Sequence, residues 1–424
     1  MSYCGYITKI KELRKHSNAD KLQVATLFGN DVIVDLKVKV GDLGIYFPTD
    51  GRLGLEYAKT NKLLREKDEN GNPTGGYLDP SKRHVKSLKL RGEKSDGLFM
   101  PIESLSSFCD IATLKEGDTV TIVNGVLICE KYIPKRKELS VSHGSSKVKD
   151  KRKATYPFFE EHLDTKQLAY NTNHFKEGDS CVVTLKLHGT SQRTAYTIKE
   201  KKSILQNIMS KFGVSSENRW DYVTGTRRVV LKDFKGGYYG GNEFRKQWHD
   251  FFKGKLHKGE EVYYEVVGYT DEGKLIMPEC DNKKTKDKDF IKKYGKKTRF
   301  TYGCEEGKSD IYVYRMTMTN EDGYTVEYPW HYVKLRCEQM GVKHCPELER
   351  FEFTSVEDLL DRVDKFVDGT DPIGKTHIRE GVIVRIENRN QFTAFKQKSF
   401  NFKVLEGIIK SQEILDMEEE NSLV

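Results

Sequence analysis

The sequence predicts an α+β protein of two unlike parts, an OB-like β-barrel followed by a larger unit of antiparallel sheets with flanking helices. Three observations lead there. Short apolar runs separated by glycine-bearing turns fill residues 1–132, as expected of a small barrel. Residues 133–154, rich in serine and basic side chains, read as a linker. Over 155–424, apolar strands alternate with two amphipathic segments that suit helices on the outside of a sheet. A chain of 424 residues is long enough to bury two cores.

The first part opens on the strand Gly5-Tyr6-Ile7-Thr8-Lys9-Ile10 and continues through His16 to Leu22. An alternating strand, a turn at Gly29-Asn30 and a second strand follow. Val40 to Phe47 and Ser87 to Gly92 read as further strands, with a helix near Leu55 to Leu64. After the linker, Glu243 to Phe252 and Val356 to Val367 are the expected helices, the second with an apolar stripe of Leu359, Leu360 and Val363.

The segments that carry chemistry all follow the linker. Leu185-Lys186-Leu187-His188-Gly189-Thr190-Ser191 places one amine at the end of an apolar strand beside a glycine. Val183, Leu185 and Leu187 alternate onto one face, so Lys186 projects from the other, and Gly189 lets the backbone turn tightly beside whatever Lys186 attacks. Tyr263 to Gly268 is a buried-looking strand with one carboxylate, Glu265, and Arg379 to Val384 is another, with Glu380. A carboxylate among β-branched and aromatic residues is costly to bury without a partner or a metal. Phe395-Lys396-Gln397-Lys398 sets two ammonium groups on one strand face. Lys186 alone would read as a solvated strand-edge residue; its company downstream favours a covalent nucleophile. Since a free lysine is neutral in only roughly one molecule in two thousand at pH 7, such a nucleophile needs positive neighbours or desolvation to shed its proton. Lys396 and Lys398 would supply the charge.

In this order the segments Lys186 to Thr190, Tyr264 to Gly268, Tyr314-Arg315, Glu380 to Val384 and Phe395 to Lys398 resemble motifs I, III, IIIa, IV and V of the covalent nucleotidyltransferases. That superfamily comprises ATP-dependent ligases and mRNA capping enzymes. His188 and the bare lysine pair are most similar to ATP-dependent RNA ligases. A barrel ahead of the motifs resembles the branch found in Deinococcus and Naegleria, and the run from Ser399 to Val424 is too short for a second barrel.

The resemblance implies an RNA ligase that seals a 3′-hydroxyl to a 5′-phosphate in RNA repair, using ATP and Mg2+ or Mn2+. Lys186 would attack the α-phosphate and carry AMP; Lys396 and Lys398 would stabilise the charge that develops. Glu265 would accept from the ribose, Glu380 would hold the metal directly or through its water, and Tyr314 would stack on adenine. Gly189 and His188 would belong to the nucleotide site, His188 contacting the leaving phosphates or capping the turn. Arg227 and Arg228 would meet the ribose or the RNA 5′-phosphate, or form an outward ion-paired strand. Arg315 and Ser191 depart from the residues common in RNA ligases, Asp and Asn. A DNA ligase, a GTP-using capping enzyme, and a nucleic-acid-binding protein with a degenerate transferase domain are the alternatives.

Composition bounds the partners. Lys plus Arg number 72 against 64 Asp plus Glu, a net charge of +8. The excess is local: residues 133–153 hold eight basic and two acidic side chains, and residues 283–299 nine and two. Both segments suit RNA, nicked duplex included, or are solvated loops. Eight cysteines show no metal-ligand spacing, no secretory signal opens the chain, and no apolar run approaches the ~20 residues of a membrane span. The expectation is a cytoplasmic monomer with free thiols and no membrane partner.

Overall fold

A computed structural model of the chain describes residues 3–67, 73–133, 155–160, 162–200, 219–227, 229–231, 234, 239 and 241–411. Residues 134–154 of the expected linker, and Arg228, lie outside the described residues. The chain forms two compact units. The first joins Met1–Lys137 with Asn282–Asp287 and Phe400–Leu415, and the second holds Glu138–Asp281, Lys288–Ser399 and Asp416–Val424.

In the first unit, a four-stranded antiparallel sheet runs in the order Leu98–Pro101, Leu43–Phe47, Gly5–Lys9, Thr119–Val120. Two three-stranded sheets accompany it, one built on Gly51–Leu53 and one on the hairpin of Leu22–Leu27 with Asn30–Asp35. Inward residues Ile7, Ile45, Phe47 and Leu53 pack with Tyr57 of the helix Leu55–Thr60. The hairpin turn falls one residue earlier than the sequence suggests. Leu27 pairs with Asn30, so Phe28 and Gly29 form a two-residue loop, with φ of +51° and +73°. A left-handed Phe28 is strained, and its ring is held 5.6 Å from Tyr6 and 5.7 Å from Tyr46.

The helix Phe400–Ser411 belongs to this first unit, not to the part that the sequence reading assigned to 155–424. Phe402, Leu405 and Ile409 make a buried stripe at helical spacing. Lys403 pairs with the buried Asp96, which also accepts from the Ser87 hydroxyl. An apolar stripe says that a helix is covered, but not by what; the charge match of Lys403 with Asp96 is visible only in three dimensions.

The second unit contains two five-stranded sheets. The first runs β1 (Lys166–Gln167), β10 (Thr393–Lys398), β9 (Gly381–Ile386), β2 (Ser180–Lys186), β8 (Glu347–Glu352). The second runs β4 (Arg219–Gly225), β3 (Thr190–Lys199), β5 (Glu260–Gly268), β6 (Ser309–Thr319), β7 (Thr325–Glu327). The unit's longer helices are α1 (Glu243–Phe252), α2 (Trp330–Met340) and α3 (Val356–Val367), with a shorter one at Lys288–Tyr294, and α1 and α3 form where the apolar periodicity places them. Leu359 and Val363 of α3 pack on Cys181, Val183, Val382, Val384 and Phe395, closing one face of the first sheet. Ser355 caps α3, its hydroxyl accepting from the Asp358 N–H at 3.1 Å. Among the described residues no helix is long and apolar enough to cross a membrane. The eight cysteines are free thiols.

Candidate active site

Lys186 ends β2 on the face opposite α3, because Cys181 and Val183 occupy the helix-covered face. It lies opposite Gly381 on β9, and Gly381 lies opposite Lys398 on β10, so the three positions form one row across the sheet. Glu380 sits at the end of that row. Its Oε1 is 2.7 Å from Lys186 Nζ and 3.7 Å from Lys398 Nζ. Gly381 has a φ of +149°, and a Cβ there would meet Lys398 Cα at 2.8 Å, so only glycine lets β9 start so close to β10.

Glu380 is 3% exposed. Burial pushes its carboxyl up, but Lys186, Lys398 and His188 outweigh burial and hold it below the usual range. Its second oxygen, Oε2, is buried without a hydrogen-bond partner. A buried carboxylate oxygen left over in this way is suited to a cation. No group of three or more His, Cys, Asp or Glu side chains that could hold a metal is found among the described residues. A divalent ion here would therefore rest on Glu380, water and phosphate oxygens, the manner in which Mg2+ is commonly held.

Lys396 stands two residues before Lys398 on the same strand face, and Phe395, on the opposite face, packs into the α3 side. Burial lowers the Lys396 ammonium to about 8, helped by Lys398, Lys186 and Arg227 and opposed by Glu380. Glu265 comes from the other sheet, on β5. Burial pushes its carboxyl up to about 7, against the pull of Lys186 and Arg227. Its Oε1 accepts from the Gly189 N–H at 3.1 Å.

The glycine of the Lys186 motif lies at a bend between β2 and β3, and has a further purpose there. Gly189 does not use the left-handed region. A Cβ on it would meet Glu265 Cγ at 2.8 Å and Val267 Cγ1 at 2.9 Å, so glycine is required for close approach of the loop to β5. His188 donates its backbone N–H to the hydroxyl of Tyr302 at 2.6 Å, and its ring meets Phe300 edge-on at 4.7 Å.

Tyr314 and Arg315 part company in space. The ladder between β5 and β6 slips at this point: Tyr263 pairs with Arg315 and Tyr264 with Val313, leaving Tyr314 as the extra residue of a bulge. Bulges re-aim side chains. Tyr314 Oη lies 2.7 Å from Ser191 Oγ and 3.2 Å from His162 Nδ1. Arg315 turns into the core, pairing through Nε with both oxygens of Glu327 at 3.0 and 2.9 Å and lying over the rings of Tyr263 and Phe392. That is a structural ion pair, which accounts for arginine in a position where the family resemblance suggested an acid. Arg227 ion-pairs with Asp164 at 3.3 Å, while its charge reaches Glu265 and Lys396. His162 and Asp164 carry no motif, and sequence reasoning passed over them.

A family model described as RNA ligase matches residues 179–405, and a model of an OB-fold domain matches residues 5–102. No curated protein gives a significant match. Solved structures of a Naegleria gruberi RNA ligase are similar in fold. A variant of it with ATP and Mn shares 16% identity at a TM-score of 0.58, covering 94% of this chain and 98% of that chain. A variant with AMP and Mn gives 17% and 0.58 over the same shares, and the protein with PPi gives 16% and 0.57 over 94% and 97%.

Proposed function

The chain belongs to the RNA ligase family, and from that premise we propose that it is an ATP-dependent RNA ligase that seals 3′-hydroxyl to 5′-phosphate ends through AMP carried on Lys186. Broken RNA, nicked duplex included, would be its substrate, and repair its purpose, with the protein acting as a monomer. One observation carries the reading: the Lys186 amine, the Glu380 carboxylate and the Lys398 ammonium converge at one row across the sheet, with Lys186 Nζ 2.7 Å from Glu380 and Lys396 two residues before Lys398 on the same strand face.

Each group has a task that its surroundings suit. Glu380 fixes the direction of the Lys186 amine. Once deprotonated, that nitrogen attacks the α-phosphorus of ATP in line; the N–P bond forms, the bond to the bridging oxygen breaks, and pyrophosphate leaves. Lys396 and Lys398 face the developing charge on the α-phosphate oxygens. A lysine lowered to about 8, as Lys396 is, gains its full charge when an anion binds beside it, so nucleotide binding and the charge state of this group reinforce each other. A divalent ion, when bound, would neutralise the departing pyrophosphate, with Glu380 as its protein ligand. Glu265 joins the loop of Lys186 to β5 through the Gly189 N–H, keeping its other oxygen for a ribose hydroxyl. Tyr314 offers a ring for adenine. The AMP would then pass to the RNA 5′-phosphate, and the 3′-hydroxyl would displace it, closing the phosphodiester. Arg227 is the described cation suited to the RNA phosphate.

The experiment is incubation with ATP or GTP labelled at the α-phosphate, followed by denaturation. Acid-labile label from ATP, absent in Lys186→Ala, is expected. Label from GTP alone would point to capping chemistry, and no label from either to a binding protein.

A further inference from the structure

We propose that His162 is a positioning residue for the nucleotide: through the hydroxyl of Tyr314 it fixes the ring against which the base is bound, an inference that rests on the ligase reading above. Tyr314 is the extra residue of a bulge, so the ladder that orients its neighbours does not orient it. Its hydroxyl instead bridges two separate segments. One contact, at 2.7 Å, is to Ser191 Oγ on β3, five residues after Lys186; the other, at 3.2 Å, is to His162 Nδ1, on a segment before β1. The His162 and Tyr314 rings meet edge-on at 5.9 Å and 84°, so the imidazole is not stacked parallel on the tyrosine.

His162 is itself held on every side. Its side chain is 11% exposed, and Nε2 lies 4.0 Å from Asp164 Oδ1. Asp164 binds Arg227 at 3.3 Å, and the His162 backbone N–H donates to the Arg227 carbonyl at 3.4 Å. Arg193 draws the same two segments together, donating to the Thr226 carbonyl from Nε and to the Glu160 carbonyl from Nη1. Burial holds the imidazole well below its usual pKa, with Arg227, Arg315, Arg193 and Lys186 acting in the same direction. A neutral imidazole keeps one lone pair. In the tautomer with its proton on Nε2, the nitrogen towards Asp164, Nδ1 accepts from Tyr314 and Tyr314 is free to accept from Ser191, so the donors run from Ser191 to His162.

This arrangement makes a prediction that packing alone does not. A group that orients a base-binding ring contributes to nucleotide binding and not to the chemical step, so its loss should raise the ATP concentration at half-saturation and spare the maximal rate. The test is single-turnover adenylylation at varied ATP for wild type, His162→Ala, His162→Asn, Tyr314→Phe and the His162→Ala/Tyr314→Phe pair. His162→Ala should raise half-saturation about ten-fold, the factor of one ordinary hydrogen bond, with the maximal rate within about two-fold. His162→Asn, which offers an amide acceptor near the place of Nδ1, should recover most of the loss. The double variant should be no worse than Tyr314→Phe, since both changes cut one chain. Equal loss in His162→Ala and His162→Asn would show that the ring merely fills space, and additive losses in the pair would show that His162 does not act through the hydroxyl; either overturns the proposal. Unchanged half-saturation in His162→Ala does so as well. If wild type itself takes no AMP, the ligase reading fails first.

Discussion

Glu260 and Glu380 are both buried glutamates with a cationic partner, and they are built in opposite ways. Glu260, wholly buried at the start of β5, uses both oxygens. Arg336 donates to Oε1 at 2.8 Å and to Oε2 at 2.7 Å; Tyr328 adds a bond to Oε1 and the His257 N–H one to Oε2. Arg336 spends its remaining donors on the Lys255 carbonyl and Gln339. Glu380 has two ammonium groups crowding one oxygen and none on the other. The first arrangement is complete, and the pair stiffens the fold. The second is unfinished, with Lys186, Lys396 and Lys398 against one carboxylate, and an unfinished site has something left to bind. Between these two glutamates, the difference lies in which oxygens are satisfied and not in burial or in the presence of a cation.

The largest expected effect is that of Lys186→Ala, which should bring adenylylation to background while leaving the variant able to seal RNA that already carries a 5′-adenylate. Retained labelling would remove Lys186 from its role. Next comes the direct comparison. Glu380→Ala should slow adenylylation by on the order of 10²–10³ with little loss of stability, since Lys186 and Lys398 keep access to water. Glu260→Ala should do the reverse, costing about 3–5 kcal/mol in denaturant unfolding by stranding Arg336, while folded molecules label at the normal rate. If the two variants behave alike, the distinction drawn above is wrong. Smaller is the effect of Lys398→Ala or Lys396→Ala, each expected to cost about 2–4 kcal/mol in the rate of adenylylation, with arginine a poor substitute. A wild-type rate in either variant would take that lysine out of the site.

The smallest effect is one of pH. Lys396 is lowered to about 8 in the folded chain, below its unfolded value, so between these two the unfolded state binds more protons and stability rises with pH. Below about 8 the charged, enclosed group weighs against folding; the penalty fades as pH climbs towards about 10.4. Lys396→Met should therefore be more stable than wild type at pH 7, and the gap should narrow through pH 8–10 in paired unfolding curves. A constant gap would mean that the ammonium is not enclosed as described.

Much of this was legible in the chain. Strand alternation around Lys186, and single carboxylates in the apolar runs at Glu265 and Glu380, announced groups that burial would make costly, and the structure gathers them. Helices α1 and α3 follow their apolar periodicity. What escaped was whatever depends on a partner remote in sequence. Nothing local marks His162, whose part arises from a hydroxyl 152 positions away. Arg315 had no role that the sequence could assign; the bulge shows that it and Tyr314 leave the strand in different directions, and Arg315 pairs with Glu327. For Gly189 the motif suggests a turn, whereas the close approach of Glu265 and Val267, which also requires glycine, depends on a strand remote in sequence.

The helix Phe400–Ser411 begins two residues after Lys398, yet its buried stripe and Lys403 are part of the barrel unit. The barrel is thus not a bead that can be cut from the N-terminus. A fragment starting near Thr155 would carry this helix with its apolar side uncovered, an adhesive surface that invites aggregation whatever the remaining sheets can do. Any attempt to graft, swap or delete the barrel has to deal with both ends of the polypeptide and with the internal segment Asn282–Asp287, which belongs to the same unit.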